Sequence, residues 1–134
     1  MSRAPEEDGV RAVTPSFTVT DLRASIRWYT RILGCAVIER WERQGVPTGA
    51  SLSLGGARLV LSQDDGALGA GRSLGAGVRL YFRLGGDLDA FAASIVARGG
   101  TLTEAPAERR WGGRDFSLDD PDGYHLTFAT DWEE

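Results

Sequence analysis

The chain has 134 residues, 42% of them hydrophobic, enough for one compact domain or two small units sharing a core. Nineteen acidic against fifteen basic residues give a net charge of −4 with no basic stripe, which argues against nucleic acid and anionic lipid as partners. No apolar run reaches the length of a membrane span, and residues 1–10, with Glu6, Glu7 and Asp8, read as a disordered or extended tail, so the expected place is the cytoplasm. Cys35 and His125 are the only cysteine and histidine, which excludes an intrachain disulfide and a zinc site built on several thiolates.

Along the chain, Val13–Val19 alternates as a half-buried strand, with Val13, Phe17 and Val19 on one face and Thr14, Ser16 and Thr18 on the other. Pro15 gives it an edge or irregular start. Asp21 caps a predicted helix whose apolar stripe is Leu22, Ile26, Tyr29, Ile32 and Leu33, and Gly34 ends it. Strands are expected at Ala36–Glu42, Ala50–Leu54 and Ala57–Ser62, the last two joined by a Gly55-Gly56 hairpin. Residues 64–77 are glycine-rich and read as a flexible connection.

The pattern then restarts. Val78–Leu84 is a predicted strand, Asp87 caps a helix bearing Leu88, Phe91, Ile95 and Val96, and Gly99-Gly100 stops it. Three more strands are expected at Thr101–Thr103, Arg114–Leu118 and Tyr124–Thr130, with a turn at Asp120-Pro121-Asp122-Gly123. Asp21-Leu22 and Gly34 recur 66 residues later as Asp87-Leu88 and Gly100, and Gly56, Leu59 and Leu61 recur 67 residues later as Gly123, Leu126 and Phe128. The expected organisation is a first βαβββ module over 11–63, the linker 64–77 and a second module over 78–131.

Thr18-Val19-Thr20-Asp21-Leu22, Ser25-Ile26-Arg27-Trp28-Tyr29 and Ile32-Leu33-Gly34 resemble the opening motif of the glyoxalase/bleomycin-resistance/extradiol-dioxygenase superfamily, also called vicinal oxygen chelate proteins. Trp111-Gly112-Gly113-Arg114 and Asp119-Asp120-Pro121-Asp122-Gly123-Tyr124 resemble its closing motif, so the likeness runs from Val13 to Thr130. It implies an α+β fold in which two βαβββ modules form curved mixed sheets around a cavity, with helices on the outer face. The cavity side would then carry Thr14, Ser16, Thr18, Arg58, Val60, Ser62, Arg79, Tyr81, Arg83, His125 and Thr127, with Arg58 and Arg83 equally readable as solvated.

Metal-dependent members place His or Glu at four positions, which the resemblance carries onto Thr14, Val60, Arg79 (or its neighbours Val78 and Leu80) and Thr127. None offers a ligand for a catalytic divalent metal, and Arg79 would oppose one by its charge, so neither metal nor other cofactor is expected. The leading reading is metal-free binding of a small organic molecule, aromatic or polar and anionic, in the manner of a drug-sequestering antibiotic-resistance protein. Its candidate lining is Ser16, Thr18, Trp41, Val60, Arg79, Tyr81, Trp111 and Thr127: indoles to stack, Arg79 and Tyr81 to orient an anion or carbonyl, hydroxyls to complete the wall. Trp111 reads equally as a plug at the end of the sheet.

A second reading is a metal-independent lyase, isomerase or cyclase with His125 as acid/base and Asp115 or Glu39 as weaker candidates. A metal-dependent enzyme is disfavoured by the four positions, and a structural or regulatory partner is a further alternative. Cys35 reads as a buried thiol rather than a nucleophile. A homodimer is expected, its modules paired within a chain or exchanged between chains.

Overall fold

A computed structural model describes residues 8–130. The expected tail lies outside the described residues through position 7, as does position 131 of the expected second module.

The first module runs β1 (Ser16–Val19), α1 (Leu22–Trp28, continued by a π-helical turn over Tyr29–Leu33), β2 (Ala36–Arg43), β3 (Val46–Leu54) and β4 (Ala57–Gln63). The second runs β5 (Arg79–Leu84), α2 (Leu88–Ala97), β6 (Leu102–Glu108), β7 (Arg114–Asp119) and β8 (His125–Thr130). Each forms a four-stranded mixed sheet, ordered β1-β4-β3-β2 and β5-β8-β7-β6, with the first strand of each module parallel to the last. The repeat read from the sequence is thus a repeat of topology.

Both helices start as their caps direct. The Asp21 carboxylate accepts the Ala24 N–H at 3.1 Å, and Asp87 accepts that of Ala90 at 3.0 Å. Gly34, at φ 86°, supplies the left-handed residue that ends the π turn. Leu22, Ile26, Tyr29 and Leu33 are buried, as their spacing predicts, against Phe17, Val19, Leu52, Leu59 and Leu61 of the first sheet. In the second module Phe128 stacks between Phe82 and Phe116, at ring-centre distances of 4.6 and 5.3 Å.

Several boundaries differ from the sequence reading. β1 begins only at Ser16, leaving Val13 90% exposed and Thr14 ahead of the sheet, because Pro15 has no N–H for the ladder. β3 reaches back to Val46 and pairs with β2 around a tight turn in which Gln44 and Gly45 both take positive φ. β6 extends to Glu108, past Pro106, which an edge strand tolerates.

The modules meet at the β7–β8 turn. The Tyr29 hydroxyl donates to the Asp120 carboxylate at 2.7 Å, Tyr124 stacks on Phe17 at 4.0 Å, and the Tyr124 hydroxyl donates to the Thr18 carbonyl at 2.8 Å. At the other end of the helices, the Arg98 guanidinium donates twice to the Ile32 carbonyl. Residues 64–77 contain no helix or strand, yet they are tied down where the Gly75 N–H donates to the Asp122 carbonyl at 3.1 Å.

Cys35, just after Gly34, is buried, and burial pushes its thiol from 9.0 up to about 12. The unfolded chain therefore loses this proton first, so the stabilisation is full below 9.0 and is lost as pH rises toward about 12. Urea unfolding is expected to show the wild type losing about 2 kcal/mol more than Cys35→Ala between about pH 8 and about pH 10.5. Equal losses in both proteins would contradict this.

Candidate functional site

Alternation along each strand sends one set of side chains into the helix-covered core and the other to the opposite, helix-free face. In the first module this face carries Ser16, Val60, Ser51 and Glu39 as one paired row, and Thr18, Ser62 and Gly49 as the next. The centre of this lining is uncharged, with hydroxyls around Val60. In the second module the rows are Arg79, His125 and Asp119, then Tyr81, Thr127, Ser117 and Glu104.

The second module holds the chemistry. Arg79 Nη1 donates to Thr127 Oγ1 at 2.7 Å, and Thr127 shares a 2.8 Å hydrogen bond with Ser117. Thr127 and Ser117 are buried although no helix covers them; the Arg79 side chain reaches over Thr127, its stem supplying apolar cover and its head remaining near water. His125 Nδ1 lies 2.7 Å from Asp119 Oδ1, and an ionised carboxylate only accepts, so Nδ1–H donates to Asp119, and in the neutral imidazole Nε2 carries the lone pair. Tyr81, 63% exposed, stands beside Thr127 with its phenol toward solvent.

The remaining candidates are distributed elsewhere. Asp115 is engaged by Arg109, which also binds Glu104; these hydrogen bonds raise the guanidinium pKa and hold both carboxylates. Glu39 lies on the edge strand of the first module, paired with Ser51. Trp41 pairs with Gly49 at the end of the Thr18–Ser62 row, its ring over Gly49, and borders a groove with Leu22, Ile26 and Pro47. The Trp111 indole folds back onto Gly113, where an added Cβ would meet ring atoms at 1.9 Å. Gly113 therefore makes room for the indole itself.

Two grooves border Tyr81. One of about 630 Å³ runs between the Gly55-Gly56 hairpin and β5, floored by Phe82, Phe91 and Phe128. The other, about 380 Å³, is walled by Val13, Thr14, Arg58 and Leu80. Both fall in the size range of small-molecule sites. Arg79, Thr127 and His125 line neither; they form the open face beside them.

A sequence profile described as "Glyoxalase/Bleomycin resistance protein/Dioxygenase superfamily" matches residues 11–128. The chain belongs to this superfamily. No curated protein matches it. Among solved structures, TioX from Micromonospora sp. ML1 is 18% identical, with a TM-score of 0.72 over 89% of this chain and 98% of that one. A glyoxalase/bleomycin resistance protein/dioxygenase from Nocardioides is 22% identical, with a TM-score of 0.71 over 94% and 87%. A glyoxylase/bleomycin resistance protein/dioxygenase domain from Frankia sp. EAN1pec is 27% identical, with a TM-score of 0.68 over 92% and 97%. These likenesses establish the fold.

The metal positions implied by membership of the superfamily can be tested against the side chains present. Thr14 lies ahead of β1, Val60 is mid-β4 between Ser16 and Ser51, and Arg79 and Thr127 are bonded to each other. Two hydroxyls, an isopropyl group and a guanidinium do not fit a divalent cation, and among the described residues no three His, Cys, Asp or Glu cluster to replace them. Also among the described residues, no helix is long and apolar enough to cross a membrane.

Asp119 and Ser117 were not among the sequence candidates. A signal existed for both: the four-residue turn 120–123 closes on an Asp120/Tyr124 pair, which sets Asp119 across from His125 and Ser117 across from Thr127.

Proposed function

We propose that the protein binds a small anionic organic molecule, without a metal, on the helix-free face of its second module. The Arg79–Thr127 hydrogen bond carries this reading: the guanidinium is held by one hydroxyl and still presents its other N–H groups outward, as an anion receptor does. A preorganised guanidinium supplies the positive charge that metal-dependent relatives obtain from their ion. Tyr81 and the serine-rich face of the first module add hydrogen-bond partners and an aromatic surface.

The open face is completed by a second copy of the chain, giving a homodimer with two equivalent sites in the cytoplasm, and sequestration of a drug-like acid is the role that fits it. Equilibrium titration of EDTA-treated protein with benzoate, followed by tryptophan fluorescence, tests the binding. Arg79→Met is expected to weaken benzoate by at least about tenfold, the usual range for a charge-assisted hydrogen bond. Affinity that rises on adding zinc or manganese, or that ignores Arg79, would overturn the reading. Elution at monomer mass in gel filtration would remove the dimer.

The Asp119–His125 pair favours a second reading, a metal-independent lyase, isomerase or cyclase with His125 as acid/base. It requires turnover that His125→Ala abolishes.

A further inference from the structure

Two groups on the helix-free face of the second module, Arg79 on β5 and His125 on β8, have complementary demands. Arg79 is anchored at Thr127 by one N–H, and its other donors have no acceptor among the described residues. His125, two residues before Thr127 on the same face, donates its Nδ1–H to Asp119, and its neutral imidazole keeps an Nε2 lone pair that accepts from no described residue. The imidazole side chain is 36% exposed, so that lone pair is reachable. Residues i and i+2 on one strand face are about 7 Å apart. With its head at Thr127, Arg79 thus offers donors to an anion beside His125, whose Nε2 accepts from a hydroxyl.

Resting on the binding reading above, we infer that the ligand is an aromatic hydroxy acid, its carboxylate on Arg79 and its hydroxyl, set across the ring, donating to His125 Nε2. Asp119 is a positioning residue. As a carboxylate it fixes the Nδ1–H tautomer, and without it the ring can reverse its protonation and meet the hydroxyl with a donor instead of an acceptor. Tyr81, paired with Thr127 in the next row, offers its ring as the flanking surface. Simple benzoate satisfies Arg79 alone and leaves the imidazole to water. A hydroxyl beside the carboxylate donates to that carboxylate's own oxygen and is not free for His125.

The probes are benzoate, 4-hydroxybenzoate and salicylate, titrated against the whole chain by calorimetry. Wild-type protein is expected to bind 4-hydroxybenzoate about tenfold more tightly than benzoate, one good hydrogen bond, with no such gain for salicylate. The ratio of the two affinities is the readout. It falls to near one in His125→Ala and in His125→Gln, whereas Arg79→Met weakens both ligands and preserves it. Asp119→Asn lowers the ratio and Asp119→Glu restores part of it, a rescue that a purely structural role of Asp119 would not produce. A wild-type ratio of one, or a ratio that survives both His125 replacements, overturns the inference and leaves metal-free binding standing. Failure of wild-type protein to bind benzoate at all overturns both.

Discussion

Asp120→Ala is expected to cost about 3–5 kcal/mol, because it strands three donors at once. Asp120 Oδ2 accepts the Tyr29 hydroxyl at 2.7 Å, while Oδ1 accepts the backbone N–H groups of Asp122 and Tyr124 at 2.8 and 2.9 Å. Tyr29 is fully buried, so its hydroxyl has no water to turn to. Asp120→Asn keeps an acceptor for both backbone groups and an amide beside the phenol, and its loss is held to about 1 kcal/mol. Chemical denaturation separates the two variants. A small loss for Asp120→Ala would mean that water replaces the carboxylate and that the modules do not depend on this turn.

The same residue gives stability a pH dependence whose sign follows from its burial. Desolvation raises the Asp120 carboxyl above its ordinary 3.8, a shift only partly offset by the hydrogen bonds from Tyr29, Tyr124 and Asp122. The folded state then holds the proton more tightly than the unfolded state. The contribution is complete below 3.8 and is lost as pH rises through the folded value, so Asp120→Asn flattens this part of the profile.

Gly75→Ala is the second large effect, about 2–4 kcal/mol, and it comes from the linker. A Cβ at Gly75 would stand 2.1 Å from the Gly123 carbonyl carbon and the Tyr124 nitrogen, backbone atoms of the turn that also carries the Asp120 contacts. Either the linker lifts, breaking the Gly75–Asp122 hydrogen bond, or the turn shifts away from Phe17 and Tyr29. Gly85→Ala is the control, since a Cβ there meets nothing within 4 Å, and its effect is expected within about 0.5 kcal/mol. Thermal unfolding of the two variants side by side checks this, and equal melting temperatures would refute it.

The elements were legible where local pattern governs them. Helical spacing from Leu22 to Leu33, the Asp21 and Asp87 caps and the 66- and 67-residue offsets led to two βαβββ modules, and each formed with its apolar stripe inward. The extension of β3 back to Val46 was less legible. It depends on Gln44 accepting a left-handed backbone, which nothing in its residue type announces.

The candidate site divides along the same line. That Thr14, Val60, Arg79 and Thr127 are not metal ligands is a property of residue type, and it belongs to the sequence alone. So does the scarcity that leaves His125 as the sole imidazole. Tertiary structure decided that Arg79 turns onto Thr127, that Asp119 accepts the His125 Nδ1–H, and that Trp111 packs on Gly113 instead of standing free. It also decided that Tyr29, 91 residues from Asp120, spends its hydroxyl on joining the modules. The reason is physical: hydrophobic period and capping act within a few residues and survive in any environment, whereas a side chain's partner is chosen by strand register and by which polar groups burial leaves unsatisfied, and both exist only once the sheets have formed.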